Sequence, residues 1–214
     1  MNYLMLHWLE IFGVVSAVIY LYFSINRKSW LWLLGILTSG IYVVVFYRTS
    51  LYADMIQNVY YVVISIYGWI KWVYIDSSYN KETHQAEVAE MDRKTIKNLI
   101  LIGICLYIIV YVPVKFLPEV LNIKSASIPI LDSLMTTLCF IATWMLTKCY
   151  IEQWILWILI DGAYIIIYFY KGLHLTGVLF ILYTVMAVVG YYKWRKRLEK
   201  HNNKIKDELK CQKI

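Results

Sequence analysis

One short run in the second half of the chain combines two indoles with a carboxylate. Trp154, Trp157 and Asp161 follow one another at spacings of three and four residues. In an α-helix this spacing places the three side chains on one face. Indoles attract flat or cationic rings, and a carboxylate supplies a matching negative charge. The run predicts a slot for a cationic aromatic molecule; the alternatives are an interfacial anchor for Trp154 and a protonated, hydrogen-bonded Asp161.

A second group of polar side chains lies near one end of another apolar segment. Gln57 and Asn58 are adjacent, and Tyr61 follows Gln57 by about one helical turn. Amides at such depth either hold helices together or bind the amide and hydroxyl groups of a solute, and both readings stay open. The candidate substrate-binding residues are therefore Gln57, Asn58, Tyr61, Trp154, Trp157 and Asp161.

The remaining reactive side chains form no catalytic or metal-binding pattern. The four histidines are scattered over ends and loops, and the four cysteines contain no C-x-x-C pair. Walker A, H-E-x-x-H, G-x-S-x-G and dinucleotide-loop motifs are absent. We expect no metal, no cofactor and no enzymatic activity. The rival from another class is an integral membrane enzyme or sensor, for which the sequence offers only Asp161 as a deeply placed ionisable group.

The composition indicates the elements that must position these residues. The chain has 214 residues, of which 61% are hydrophobic and 16% charged, and its mean hydropathy is +0.58. A soluble domain carries about 25% charged residues and cannot hide this much apolar surface. The composition therefore predicts an all-α polytopic membrane protein. Seven apolar segments predict spanning helices, at about 8–25, 30–47, 52–74, 98–116, 132–146, 152–170 and 173–194.

The basic residues are distributed unevenly between the two sides of these spans. Seventeen of the 21 Lys and Arg fall on the side that carries the C-terminus. By the positive-inside rule this side is cytoplasmic, which places the N-terminus outside. The net charge of +7 is then a topology signal, and no nucleic-acid partner is expected. Residues 76–97 predict a solvated linker, and residues 195–214 a solvated tail that touches anionic lipid.

The chain also repeats itself at a constant spacing of 122 residues. Gly68, Lys71 and Trp72 match Gly190, Lys193 and Trp194 at this spacing. Further matches are Glu10 with Asp132, Trp32 with Trp154, Gly40 with Gly162, Tyr42 with Tyr164, Leu51 with Leu173, and Tyr61 with Tyr183. Three spans joined to three by one linking span predict a parallel repeat, an arrangement typical of transporters with a site between the halves. The predicted segments are 1–75 (first repeat), 76–131 (linker, linking helix and outer loop), 132–194 (second repeat) and 195–214 (tail).

Three stretches of the sequence resemble the PnuC family of bacterial vitamin transporters. They are LYADMIQNVYYVVISIYGWIKW, KCYIEQWILWILID and YFYKGLHLTGVLFILYTVMAVVGYYKW. The resemblance implies a SWEET-like fold of two three-helix bundles joined by a linking helix. It also implies a homotrimer, and facilitated diffusion followed by trapping through phosphorylation in the cell. Trp154 and Trp157 would border the substrate ring, and Gln57 would contact its polar groups.

One position departs from the family pattern and bears on the substrate. Members that carry nicotinamide riboside commonly have Asn four residues after the second Trp, where this chain has Asp161. Relatives of the family carry thiamine or riboflavin. Nicotinamide riboside and thiamine are both aromatic cations, so a carboxylate suits either. We expect nicotinamide riboside first, with thiamine, or riboflavin, as the alternative.

Overall fold

Seven helices make up the described part of the chain. The computed structural model describes residues 3–49, 52–75, 87–121 and 128–211. The helices are α1 (Tyr3–Ile25), α2 (Trp30–Arg48), α3 (Tyr52–Ile70), α4 (Arg93–Leu121), α5 (Pro129–Thr147), α6 (Gln153–Tyr170) and α7 (His174–Cys211); a π-helical turn, Lys71–Ile75, continues α3. Within these residues five helices contain stretches long and apolar enough to cross a membrane, in α2, α4, α5, α6 and α7. The predicted all-α membrane fold is confirmed.

Two threonines of the predicted span α5 satisfy their hydroxyl groups locally. Thr137 and Thr143 donate hydrogen bonds to the carbonyl oxygens of Ser133 and Cys139, each 2.8 Å away. A hydroxyl bonded to the preceding turn presents no unpaired polar group to its surroundings. A helix rich in threonine can therefore cross the membrane, and much of α5 is in any case buried in the fold.

The helices form two bundles of three, α1–α3 and α5–α7. Within each bundle the middle helix packs along the last one, α2 on α3 and α6 on α7, and also contacts the first. The bundles meet where α1 contacts α7 and where α3 contacts α5, and α4 packs along α5. Because α4 returns the chain across the membrane, both bundles run in the same direction. The limits predicted for the two repeats, 1–75 and 132–194, remain a prediction.

Residues 122 apart adopt the same local geometry in the two bundles. Arg27 and Cys149 lie in the turns between the first two helices of their bundles, and both are left-handed, with φ of 56° and 54°. Such a backbone is uncommon for a residue with a side chain, so its recurrence is informative. Stacked ring pairs recur as well, Tyr42 with Phe46 and Tyr164 with Tyr168.

Four buried tryptophans form the centre of the core at one end of the bundles. Trp32 packs edge-on against Trp72, with ring centroids 5.2 Å apart, and Trp154 packs in the same way against Trp194, at 5.5 Å. Each pair requires a glycine beside it. A Cβ on Gly68 would lie 2.6 Å from the Trp32 ring, and a Cβ on Gly190 would lie 2.7 Å from the Trp154 ring. The predicted matches Gly68–Gly190 and Trp72–Trp194 thus coincide with equivalent packing.

Two of these indoles also join one bundle to the other. Trp72 Nε1 donates a hydrogen bond of 3.0 Å to the carbonyl oxygen of Thr147, the last residue of α5. Trp194 Nε1 donates one of 3.1 Å to the carbonyl oxygen of Ile25, the last residue of α1. Ile25 and Thr147 are themselves 122 residues apart, so the two bonds are equivalent and cross between the bundles. We call the end of the fold that contains the four buried tryptophans the tryptophan end.

The second part of the predicted linker is ordered against the protein. Ala89 N–H donates to the carbonyl oxygen of Cys149, and Ile151 N–H donates to that of Ala89, both at 3.0 Å. Met91 N–H also donates to the Glu152 carboxylate at 2.9 Å. None of residues 87–92 is buried, but their backbone pairs with the α5–α6 turn, which the prediction of a solvated linker did not include. Residues 76–86 lie outside the described residues.

The predicted tail begins as a continuation of the last helix. α7 runs to Cys211 without a break, and Leu198 is buried one turn beyond Trp194. Residues 195, 196, 199 and 200 are nevertheless exposed, and Leu198 is buried where α7 packs beside the α1–α2 turn. The two elements also affect each other electrostatically. Burial, together with the positive charge of the nearby Arg197 in α7, lowers the pKa of Arg27 in the α1–α2 turn to about 10.

Candidate functional site

A cavity of about 1220 Å³ lies between the two bundles. Helices α1, α2, α3, α5, α6 and α7 all contribute to its lining. It extends from residues 172–176, in the turn opposite the tryptophan end and the start of α7, to the level of Tyr20, Ser65, Thr143 and Trp157. Its volume suits a small organic molecule of vitamin size, and its position is the interface at which repeat-built transporters hold their substrates.

The lining combines aromatic rings with hydroxyl groups. Its hydroxyls belong to Ser16, Tyr20, Thr38, Ser39, Tyr42, Tyr61, Ser65, Thr143, Thr176 and Tyr183. Among the described residues of the lining there is no Lys, Arg, Asp or Glu, and His174 lies near the end away from the tryptophans. The residues that the structure describes also contain no group of three His, Cys, Asp or Glu able to hold a metal. Such a wall can stack on a ring and hydrogen-bond a sugar, but it offers no cation for a phosphate.

Trp157 is the candidate indole that reaches the cavity. It is partly buried, lines the cavity and packs against the cores on both sides of it, including Ile160 and Cys139. Its counterpart in the first bundle is Gly35, which also lines the cavity. A Cβ at Gly35 would lie 2.7 Å from the Ser65 hydroxyl, so glycine here makes room for Ser65. The two equivalent positions therefore present a large flat ring, that of Trp157, and a hydroxyl group, that of Ser65, to the cavity.

Tyr61 is held in place by the amide predicted beside it. Gln57 Nε2 donates a hydrogen bond of 3.1 Å to the Tyr61 hydroxyl, and Tyr61 lines the cavity. The hydroxyl also lies near the Cys139 thiol of α5. Gln57 thus lies one turn from the lining and fixes the orientation of Tyr61. Asn58 points elsewhere: its amide donates to the carbonyl oxygen of Asp54, 2.8 Å away, on an exposed face of α3.

Asp161 lies just behind the cavity wall. Its side chain is 6% exposed. No hydrogen bond or ion pair reaches its carboxylate from the residues that the structure describes. Cys139, Tyr164 and the lining residue Tyr183 are near enough to interact with it electrostatically. A buried carboxylate without a partner is costly in a membrane protein and usually marks a functional position.

Trp154 is separated from the other candidate residues. It is 1% exposed, packs edge-on against Trp194 and lies at the tryptophan end, outside the cavity lining. Seven residues of helix put roughly 10 Å between Trp154 and Asp161, so a shared helix face does not imply a shared site. Its full burial also differs from the lipid-facing position of an interfacial anchor.

Several lining residues were not singled out by the sequence. Tyr183 is 122 residues from Tyr61, and Ser39 is 122 residues from Asp161; both line the cavity. Tyr20, Ser65 and Thr143 line it as well. The repeat spacing was the signal that could have found the first two, because equivalent positions of the two bundles face the same interface. The last three carry common residue types without a motif.

Comparisons with known proteins agree with this architecture. The model of the family described as "Nicotinamide mononucleotide transporter" matches residues 7–196. The chain belongs to this family, which includes PnuC. The protein is accordingly a multi-pass membrane transporter of the PnuC family and not an enzyme.

Individual relatives in the family are distant but cover most of the chain. The nicotinamide riboside transporter PnuC of Escherichia coli (strain K12) is 23% identical over 212 residues, covering 88% of this chain and 85% of its own length. The same values hold for the PnuC of Shigella flexneri. A crystal structure of the vitamin B3 transporter PnuC superposes with a TM-score of 0.65 at 21% identity, covering 91% of this chain and 83% of the other. That likeness supports the fold.

Proposed function

We propose that the protein imports nicotinamide riboside through the cavity between its two bundles. The observation that carries the proposal is the pairing of Trp157 in the lining with the buried, unpartnered Asp161 behind it. The pyridinium ring would stack on Trp157, Asp161 would supply the counter-charge, and the hydroxyl-rich wall would bond the ribose. Both named relatives are nicotinamide riboside transporters.

The chemistry of the cavity favours the riboside over its phosphorylated form. A mononucleotide adds a phosphate, which proteins bind with Arg, Lys or helix N-termini. The lining residues include neither Arg nor Lys, and the nearest buried charge is the carboxylate of Asp161. Placing a phosphate there would bring like charges together in a site of low dielectric. The name of the family model refers to the mononucleotide, whereas this cavity suits the uncharged sugar.

The distribution of Lys and Arg between the two sides of the membrane indicates the orientation of the transporter. We place the tryptophan end and the C-terminus in the cytoplasm, because that side carries seventeen of the 21 Lys and Arg. Transport would be facilitated diffusion, as the resemblance to the PnuC family implies. Phosphorylation inside the cell would then trap the vitamin, because the phosphorylated product no longer suits the cavity.

We also propose that the protein assembles into a homotrimer, as the resemblance to the PnuC family implies, with the outer face of α4 as the contact surface. Large apolar side chains cover this helix, and Ile100, Leu101 and Ile109 are each at least 60% exposed. An apolar groove of about 570 Å³ lies beside it, lined by residues of α4, α5 and α6. Both surfaces face away from the transport cavity, so a neighbouring copy seated there would leave the cavity free.

A binding panel tests the substrate assignment. Purified protein is titrated by calorimetry with nicotinamide riboside, nicotinamide mononucleotide, thiamine and riboflavin. We expect the riboside to bind at least about tenfold more tightly than the mononucleotide, because the phosphate has no cationic partner. Thiamine is the informative competitor, since it is also an aromatic cation. Tighter binding of thiamine or of riboflavin than of the riboside would overturn the proposal.

A single substitution tests the counter-charge. Asp161→Asn keeps the shape of the side chain and removes its charge. At a separation of about 8 Å and an effective dielectric near 20, the lost attraction is about 2 kcal/mol, or about thirtyfold in affinity for a cation. Binding to the original protein should also weaken at low pH, where the carboxylate is protonated while Cys139, Tyr164 and Tyr183 stay neutral. Equal riboside affinity in both proteins would refute the counter-charge.

A further inference from the structure

The cavity stops short of the tryptophan end. Its deepest lining residues include Tyr20, Ser65 and Trp157. Beyond them lies the core cluster that contains all four buried tryptophans, together with Ile25 and Cys149. In this conformation the packed tryptophan cluster therefore separates the cavity from the end that we place in the cytoplasm.

Hydrogen bonds cross between the two bundles within this cluster. Trp72 Nε1 binds the Thr147 carbonyl oxygen, and Trp194 Nε1 binds the Ile25 carbonyl oxygen. Lys71 Nζ reaches the same Thr147 oxygen at 2.9 Å. Both acceptors are the last carbonyl groups of helices, which have no partner inside their own helix. Moving the bundles apart at this end would break all three bonds at once.

We infer that the two crossed bonds, Trp72 to Thr147 and Trp194 to Ile25, are a latch that holds the inner gate of the transporter closed. The inference builds on the proposed import function, because a solute released into the cytoplasm must pass between the bundles at this end. The cavity and the latch then have separate roles, the first in binding and the second in setting the ratio of closed to open protein. A latch of two modest bonds suits a gate that must open repeatedly.

The local backbone supports a mechanical role. Trp72 lies in the π-helical turn Lys71–Ile75, whereas Trp194 lies within the continuous helix α7. π-helical turns are uncommon and concentrate at functional positions. The turn places Trp72 both against Trp32 and within reach of Thr147. Of the two equivalent bonds, the one made by Trp72 therefore comes from a π-helical turn and the one made by Trp194 from an α-helix.

The chain supplies a matched control for the hydrogen bonds. Trp32 is as deeply buried as Trp72 and packs against it, but its Nε1 has no hydrogen-bond partner among the described residues. Trp→Phe at position 72 or 194 removes a crossing bond and some ring volume. Trp32→Phe removes similar volume and no bond. A difference between these variants therefore isolates the bonds from the packing.

Cys149 provides a native reporter of gate opening. Its thiol is 1% exposed and lies in the cluster that the latch closes. Purified protein is treated with N-ethylmaleimide, and the labelling rate of Cys149 is followed by peptide mass spectrometry in the full chain. Losing one ordinary hydrogen bond should raise the open fraction, and with it the labelling rate, by about fivefold in W72F and in W194F. The double variant should reach about 25-fold, and W32F should stay within about twofold of the original.

Two results would overturn the latch. The first is labelling of both single variants at the original rate; the second is an equal rise in W32F, which would assign the effect to packing. If the double variant does not fold, the two single variants decide. The assay contains no vitamin, so a failure of the substrate panel leaves it unaffected, and a failure here leaves the substrate assignment standing.

Discussion

Replacing Gly190 by alanine adds a methyl group where a tryptophan ring already lies. The new Cβ would be 2.7 Å from Trp154 Cζ2 and 2.8 Å from two further atoms of the same ring. Carbon atoms in ordinary contact are about 3.5–4.0 Å apart, so ring and helix must separate by roughly 1 Å. Trp154 is fully buried against Trp194 and has little room to retreat.

The expected cost follows from the behaviour of overpacked cores. Extra methylene groups in a well-packed interior typically destabilise by about 1–3 kcal/mol. Alanine gains about 1 kcal/mol over glycine in a helix, so the net loss is up to about 2 kcal/mol. For a chain of this size we expect the unfolding temperature to fall by up to roughly 8 °C. Gly162→Ala is the matched control, because a Cβ there meets nothing within 4 Å; it should match or exceed the original stability.

Thermal unfolding of the purified variants in detergent measures both effects, with light scattering as a second probe. Trp154→Phe should partly rescue Gly190→Ala, because phenylalanine lacks the outer part of the ring that the methyl group meets. A double-mutant cycle would then show a favourable coupling of at least about 0.5 kcal/mol. The packing argument fails if Gly190→Ala unfolds at or above the temperature of Gly162→Ala.

Two further predictions concern the cavity and the topology. Trp157→Ala should weaken riboside binding by about 1–3 kcal/mol, the range for stacking of a base on an aromatic side chain; unchanged affinity of the folded fraction in calorimetry would assign Trp157 a structural role. A reporter fused after residue 214 should be active only in the cytoplasm, because seventeen of the 21 basic residues lie on that side; activity only in the periplasm would reverse the orientation.

The helices were predictable because the membrane imposes a simple rule on each of them. Lipid demands long apolar segments with internally paired backbones, and hydropathy detects such segments without knowledge of their partners. The boundaries at Ile25, Trp30 and Tyr170 were predicted to the residue. The docking of Ala89 on the α5–α6 turn was not predictable, because a polar segment gives no signal of the backbone that pairs with it.

The candidate site was predictable in part, for a geometric reason. Spacing along α6 identified the face that Trp154, Trp157 and Asp161 share, but it could not show that the cavity covers only part of that face. Trp154 belongs to the tryptophan end because Gly190 of α7 admits its ring there. That contact involves two helices, so the periodicity of α6 alone could not predict it. The repeat spacing, which relates Trp154 to Trp32 and Gly190 to Gly68, could have indicated it.

The crossed tryptophan bonds have the form of a twofold dimer interface contained in one polypeptide. Each half donates from its last helix and accepts at the end of its first helix. Trp72 of the first bundle meets Thr147 of the second, and the equivalent residues Trp194 and Ile25 form the same bond in the opposite direction. A single three-helix unit has both the donor and the acceptor but cannot join them within itself. Two copies of one unit could complete both bonds, and a fused pair needs α4 to return the chain across the membrane. The structure thus describes how a duplicated gene encodes, in tandem, a contact that two separate subunits would otherwise have to find by association.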